Sequence, residues 1–304
     1  MSRFIGLLCR IHSKNGYFTS PTSLEEANFP LAYGILVHKD FEQFERVFRA
    51  VYMPQNYYCI HVDKKSPVAF YKAIVKLTDC FENAYVVGTR EDVRWGEFSL
   101  LTAELTCARS LLKYRNWKYY INLTGFEFPL VSNRQLVRVF KAYNGSNDIN
   151  VQEPNKQCTP GVSSLTTSGI LDCHRRLQYL GNIHMKSSVT FFTGDPKEKS
   201  YQYEARYKNW MKVQPKYMGG KRIKCVRWRN DICIPGVSDM VNFMRPNNTK
   251  LFLNKVFQNF QYLTYDCLED YQRNLTIQST STNFTFDDSY YRNLKFVKNK
   301  RDCH

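Results

Sequence analysis

Residues 31 to 37 read Leu-Ala-Tyr-Gly-Ile-Leu-Val, a continuous apolar run between Pro30 and His38. A run of that length without polar alternation predicts a strand covered on both faces, as in a parallel sheet. The spacing then changes. Phe41, Phe44, Val47, Phe48 and Val51 recur at intervals of three and four, which puts them on one face of a helix that ends before Pro54. Residues 52 to 63, Tyr-Met-Pro-Gln-Asn-Tyr-Tyr-Cys-Ile-His-Val-Asp, are a turn feeding an aromatic strand that stops on Asp63. Strand, helix and strand make one βαβ unit over residues 31 to 63.

The alternation continues with a helix near residues 67 to 77, a short strand at Ala84-Tyr85-Val86-Val87 and a helix from Ser99 to about Tyr114. A strand from Lys118 to Leu123 leads into a Thr124-Gly125 turn, and a further helix starts after a Ser132-Asn133 cap. This order predicts a Rossmann-like α/β sheet. No Gly-x-Gly-x-x-Gly follows a strand, which disfavours a dinucleotide oxidoreductase. From 151 to 205 the texture turns polar, with short apolar runs such as Val189-Thr190-Phe191-Phe192, and no element is assigned. Order resumes at Arg206-Tyr207, residues 251 to 273 carry a helical pattern through Leu251, Phe252, Val256 and Phe257, and the tail after 276 reads as polar and loose.

Composition narrows the classes. With 304 residues and 43% hydrophobic content the chain can bury a substantial core. Its 21 Tyr and 21 Phe are expected mostly to fill that core, although aromatic faces also stack on sugar rings. A net charge of +16 calls for an acidic partner: a nucleic acid, an anionic membrane surface or a diphosphate. The charge is spread along the chain, and its densest run, Lys221 to Arg229, is broken by apolar residues. No recognisable nucleic-acid module accompanies it, so nucleic acid is not an expected partner.

Ten cysteines, none at zinc-finger spacing, favour an oxidising compartment. So do Asn-x-Ser/Thr sequons at Asn122, Asn144, Asn247, Asn274 and Asn283, of which Asn122 sits in an apolar run and is expected to be buried. No run of about 20 apolar residues is present, and Met1 to Cys9 is too short for a signal peptide. A secretory reading therefore implies an N-terminal anchor missing from this chain.

Three stretches carry a resemblance: Phe29-Pro30-Leu31-Ala32-Tyr33, the segment from Tyr52 to Asp63, and Gly125-Phe126-Glu127-Phe128-Pro129. Together they resemble the core 2 branching β-1,6-N-acetylglucosaminyltransferases, glycosyltransferase family 14. The resemblance covers residues 25 to 150 with specific motifs and 206 to 270 more weakly. It implies a GT-A fold in a single main domain, metal-independent inverting transfer from UDP-N-acetylglucosamine to the 6-hydroxyl of an O-glycan or glycoprotein acceptor, and a type II Golgi membrane protein facing the lumen. Its implied division is a stem remnant at 1–26, a nucleotide-sugar-binding half at 27–150, a diverged acceptor region at 151–205, a diphosphate-binding part at 206–273 and a polar tail at 274–304.

The resemblance also distributes roles. Leu36, Asp63 and Trp95 fall on positions that contact uracil and ribose in similar enzymes. Lys255, in its Leu-Phe-x-Asn-Lys context, and Arg229, with Arg227 in reserve, match the pair that binds the diphosphate. The strand end reads Asp63-Lys64-Lys65 with no second carboxylate, so no metal or other cofactor is expected there and cations would neutralise the leaving group. Trp210 matches an acceptor-stacking tryptophan. Cys9 with Cys80, Cys59 with Cys107 and Cys225 with Cys233 match the family's disulfides, leaving Cys158, Cys173, Cys267 and Cys303 unassigned, any of which could link two chains.

The general base is where the sequence departs from the family. Family members carry a Glu in an Asp-Glu-x-x-Trp stretch that is absent here, and the segment between Gly145 and Trp210 is shorter by several dozen residues. Glu127, Glu153 and Glu204 are the nearest carboxylates, and none is assigned the role; Glu127 is expected to order its loop. Two readings follow: a branching N-acetylglucosaminyltransferase, or a non-catalytic relative that binds UDP or glycan. Xylose remains an alternative donor sugar.

Overall fold

A computed structural model of the protein describes residues 16–94, 97–148, 188–189, 205–207, 225–229, 232–245 and 248–298. Of residues 188, 189, 206 and 207 only the backbone is described. After a short helix α1 (Leu24–Ala27), the chain lays down β1 (Leu31–Val37), α2 (Phe41–Val51), β2 (Tyr57–Val62), α3 (Val68–Thr78), β3 (Ala84–Val86), α4 (Phe98–Leu111) and β4 (Tyr119–Thr124). β5 (Glu127–Pro129), α5 (Asn133–Tyr143), β6 (Ser188–Val189) and β7 (Arg206–Tyr207) follow. The remainder is β8 (Arg227–Arg229), β9 (Ile232–Ile234), a 3-10 turn (Val237–Asn242), β10 (Phe252–Asn254), α6 (Tyr262–Ser279), α7 (Ser289–Arg292) and α8 (Lys295–Lys298).

The main sheet is parallel in the order β3-β2-β1-β4-β6, an α/β fold of the expected Rossmann-like, GT-A-like kind. β1 lies between β2 and β4, Ile35 opposite both Ile60 and Leu123, and all seven of its residues are buried. Its apolar run reads as it does because neither face meets water. Gly34 makes the α4 side of the sheet possible. A Cβ there would stand 2.0 Å from the Tyr120 hydroxyl, which instead donates to the Glu104 carbonyl at 3.1 Å. The Cys59–Cys107 disulfide, with Cα atoms 5.5 Å apart, joins β2 to α4 on that face.

The other face is packed by α2 and α5. Phe44, Val47, Phe48 and Val51 of α2 are buried, and its first turn is capped by the Asp40 carboxylate, which accepts from the Gln43 N–H at 3.2 Å. α5 starts on a capping box: Ser132 and Gln135 each satisfy the other's backbone N–H. The aromatics mostly fill the core, as anticipated. Tyr33, Tyr58, Phe44 and Phe48 are fully buried, and the rings of Tyr17, Phe48, Tyr52 and Phe81 lie against one another at 4.6–6.0 Å. Each such ring removed from water contributes roughly 1.5–3 kcal/mol.

A second sheet, β5-β10-β7, sits beyond the main one, with β10 antiparallel to β5 and parallel to β7. This corrects the helical pattern read over residues 251 to 273. Leu251 to Leu253 are buried and Phe252 to Asn254 pair as a strand, so the apolar run has no helical period, and the helix starts only at Tyr262. α6 is fastened to α2 through Arg46, whose guanidinium bonds to Asp266 and Glu269 and lies over the rings of Tyr262 and Tyr265.

The tail after 276 is also more ordered than its polarity suggests. Tyr291, Leu294 and Phe296 are buried, and Arg134 of α5 donates to the carbonyl of Ser279 at 2.7 Å while Arg138 donates to that of Phe284 at 3.3 Å. Three aromatic and aliphatic anchors within six residues suffice for a short segment to pack, although they are too few to stand out in a polar tail. No described helix is long and apolar enough to cross a membrane.

Candidate functional site

β1, β2 and β4 run parallel, so their carboxyl ends open on one edge of the sheet, where ligands of open α/β folds bind. Leu36 and Val37 close β1, Asp63 follows β2, and Gly125 follows β4. The ends are stitched together. Asp63 N–H donates to the Val37 carbonyl at 2.9 Å, Gly125 N–H to the Leu36 carbonyl at 3.0 Å, and the Ser66 hydroxyl to the His38 carbonyl at 2.9 Å. Leu36 and Asp63 thus stand on neighbouring strand ends, each only 7–8% exposed. The Asp63 carboxylate accepts the Lys65 N–H at 2.8 Å and lies 3.4 Å from the Lys65 ammonium.

Lys255 is brought to the same edge from far along the chain. The Val256 N–H donates to the Phe126 carbonyl at 2.8 Å. The buried Gln43 amide of α2 bridges the two segments, donating to Gly125 O at 2.8 Å and to Val256 O at 2.9 Å. Glu127 is spent on this joint: its carboxylate accepts from the Thr124 N–H and from the Asn254 side chain, both at 2.8 Å. It orders the turn, as the sequence reading anticipated.

Arg229 arrives on the β8–β9 hairpin, closed by the Cys225–Cys233 disulfide with Cα atoms 5.9 Å apart. Arg227 and Arg229 project from the same face of β8 and both are exposed, but they lie over different rings. Arg227 covers Phe260 at 5.3 Å, whereas Arg229 covers Phe257 at 4.9 Å. Phe257 in turn packs on Phe126 at 4.8 Å, and Phe126 on His38 at 5.2 Å. Lys39 stands 5.8 Å over Phe126.

The cations sense one another. Burial and the Arg229 charge hold the Lys255 ammonium below the usual lysine value, against a contrary pull from Glu127. The His38 imidazole is likewise held low, first by burial and then by Lys39, Lys65 and Arg229, with Asp63 opposing. A polyanion would offset the repulsion that holds Lys255 and His38 low, so the arrangement suits a diphosphate. Arg229 appears in both pairings and Arg227 in neither.

Trp95, Trp210 and Cys9 lie outside the described residues, as do Glu153, Glu204, Cys158, Cys173 and Cys303. Cys80 is disulfide-bonded and Cys267 is free. Cys225, Cys233 and Asp239 form the one grouping of possible metal ligands among the described residues, but the two sulfurs are bonded to each other and offer no thiolate. The sequence reading missed His38, Lys39, Gln43, Phe126 and Phe257. His38 and Lys39 were accessible to it, since they follow a strand directly; Gln43 and Phe257 become relevant only through contacts across more than 80 residues.

Comparison with known proteins identifies the family. Residues 31–194 match the family model described as Core-2/I-Branching enzyme. An N-acetyllactosaminide β-1,6-N-acetylglucosaminyl-transferase of Homo sapiens is 47% identical over 150 residues, 49% of this chain and 35% of its own. A β-1,3-galactosyl-O-glycosyl-glycoprotein β-1,6-N-acetylglucosaminyltransferase of Bos taurus is 43% identical over 141 residues, covering 46% and 33%. A Sus scrofa protein named "Probable beta-1,3-galactosyl-O-glycosyl-glycoprotein beta-1,6-N-acetylglucosaminyltransferase 7" is 34% identical over 232 residues, covering 75% and 52%. The chain thus spans between a third and a half of the length of these relatives. With more than half of its residues inside the family model, the chain belongs to the Core-2/I-branching enzyme family of glycosyltransferases.

Proposed function

We propose that this protein transfers N-acetylglucosamine from UDP-N-acetylglucosamine to the 6-hydroxyl of an O-glycan, with inversion and without a metal. The acceptor oxygen attacks the anomeric carbon from the side opposite the diphosphate. The bond from that carbon to the diphosphate oxygen breaks, UDP leaves, and the hydroxyl proton passes to a base that remains unassigned. Lys255 and Arg229 neutralise the charge that builds on the departing diphosphate, and Leu36, Asp63 and Trp95 hold the nucleoside. Trp210 stacks on the acceptor.

The observation that carries this reading is the meeting of Lys255, Arg229 and Asp63 at the open ends of β1, β2 and β4, with the Arg229 charge acting on Lys255. The names of the relatives support the sugar and linkage. The proposed setting is the lumenal side of the Golgi, reached through an N-terminal anchor beyond this sequence; the disulfides Cys59–Cys107 and Cys225–Cys233 support an oxidising compartment.

A second reading, a relative that binds UDP or glycan without turnover, draws on a specific pair of observations. The family's Asp-Glu-x-x-Trp stretch is absent, and Glu127 is committed to Thr124 and Asn254. Calorimetric titration with UDP and UDP-N-acetylglucosamine in chelator, followed by a transfer assay on the same sample, separates the two. Binding with transfer supports the enzyme, binding without transfer supports the binder, and absence of binding rejects both.

A further inference from the structure

The loop between β3 and α4 is clasped onto the turn that carries Asp63. Arg90 donates from its guanidinium to the carbonyls of Val62 at 3.2 Å, Asp63 at 2.7 Å, Lys64 at 3.3 Å and Ser66 at 3.2 Å, and lies 4.7 Å over the Tyr71 ring. The Lys64 N–H donates to the Glu91 carbonyl at 2.9 Å, and the Lys65 ammonium bonds to Asp92 and to the Val93 carbonyl. At the centre is His61 on β2, fully buried, whose Nε2 accepts the Glu91 N–H at 2.9 Å.

An imidazole nitrogen that accepts must be unprotonated, so the proton of the neutral ring sits on Nδ1. Nδ1 is buried and finds no hydrogen-bond partner among the described residues. A buried donor left unmatched is a cost that a merely structural residue at this position would not carry; leucine or phenylalanine would fill the space without it. What the histidine adds is the acceptor for Glu91. The charged groups that act on the ring are Asp63, directly after its own strand, and Arg90 and Glu91 on the loop.

We propose that His61 is a positioning residue of the donor site, latching residues 88 to 94 over the Asp63 turn only while its ring is neutral, so that protonation opens the latch and weakens nucleotide binding. The proposal rests on the reading of this edge as the UDP site. On gaining a proton Nε2 becomes a donor aimed at the Glu91 N–H, and the bond turns into a clash of two donors. Burial, assisted by Arg90, keeps the ring neutral below the ordinary histidine value of 6.5, against Asp63 and Glu91. The latch is therefore closed at neutral pH and opens as the pH falls beneath that range. His38 acts with the opposite sign, because its protonation adds a cation to the diphosphate site.

The test is UDP affinity of the whole chain by calorimetry at pH 7.5, 6.5 and 5.5, for the wild type, His61→Gln and His61→Phe. The amide oxygen of Gln accepts but does not titrate in this range; Phe fills the space without accepting. UDP itself gains a proton near pH 6, which affects all three proteins alike. His61→Phe should bind about 10-fold more weakly at pH 7.5, the effect of leaving one buried N–H unmatched. His61→Gln should bind within a few-fold of the wild type at pH 7.5 and lose less affinity than it on acidification. Equal acid loss in the wild type and His61→Gln overturns the proposal, as does unchanged affinity in His61→Phe. Absence of UDP binding by the wild type at pH 7.5 instead overturns the donor-site reading, and the role of the latch with it. Amide exchange at Glu91 in the wild type supplies a readout that needs no variant: its protection factor must drop between pH 7.5 and 5.5 relative to those of the β1 amides, and a constant ratio overturns the latch.

Discussion

The Asn254 side-chain amide donates to the Glu127 carboxylate at 2.8 Å across 127 positions of sequence, and this bond fixes where Lys255 stands. A carboxylate that already accepts from the Thr124 N–H as well is a structural joint. Replacing it removes an acceptor from two buried donors. Glu127→Ala is expected to lower stability by roughly 2–4 kcal/mol, since each orphaned donor costs about 1–2 kcal/mol. Chemical denaturation measures this, and Glu127→Gln, which keeps one acceptor, should recover part of it.

Lys255→Ala should weaken UDP binding by about 10- to 100-fold, in line with loss of a charge-assisted hydrogen bond of ~1.5–3 kcal/mol. Arg229→Ala should do the same and Arg227→Ala should not, because Arg227 lies over Phe260 whereas it is the Arg229 charge that acts on Lys255. Calorimetry on the three variants decides the assignment; a larger effect of Arg227 would transfer the role.

The same lysine sets an alkaline limit. Its ammonium loses its proton more readily than an ordinary lysine, because burial and Arg229 disfavour the charge. The diphosphate favours the charge, so UDP binding takes up a proton as the pH rises through the lowered value. Affinity should therefore begin to fall below pH 10.5, the ordinary value, and Lys255→Arg should move that fall upward. Affinity against pH in both proteins tests it.

Gly34→Ala puts a methyl group 2.0 Å from the Tyr120 hydroxyl, in a sheet buried on both faces. The strand or the ring must shift, and overpacking of this kind costs typically about 1–3 kcal/mol. A lower Tm is expected, and the double variant with Tyr120→Phe should recover only part of the loss, because the ring Cζ would still stand 2.8 Å from the added methyl group.

The sequons divide by their surroundings. Asn283 and Asn144 are exposed, whereas Asn122 lies within β4 and its amide is bonded to Glu104. When the chain is produced through a secretory pathway, mass spectrometry after enzymatic deglycosylation should find folded material modified at Asn283 and Asn144 and unmodified at Asn122.

The first half of the fold was legible because its physics is local. The apolar run at 31 to 37, the three-four spacing from Phe41 to Val51 and the Ser132 cap each announce an element within a dozen residues. Phe252 to Asn254 failed that test: a strand of three residues has too few positions to show a period, and its nature comes from pairing with β5. The site shows the same division. Asp63 could be picked out as a strand-end carboxylate, but the choice between Arg227 and Arg229 needed Phe257 and Lys255, and the burial of His61 gave no sign of its bond to Glu91.

β1 is sealed along one edge by a strand ending at Val62 and along the other by one ending at Thr124, and the cations of the site come from residues 229 and 255. During synthesis the sheet can therefore close well before the chain that completes the proposed donor site has emerged. A chain cut before residue 252 retains the residues of β1 to β4 and their disulfide but has no Lys255 to meet a diphosphate. Secretion and resistance to proteolysis of such a fragment would report a completed sheet and say nothing of whether it can bind a nucleotide sugar.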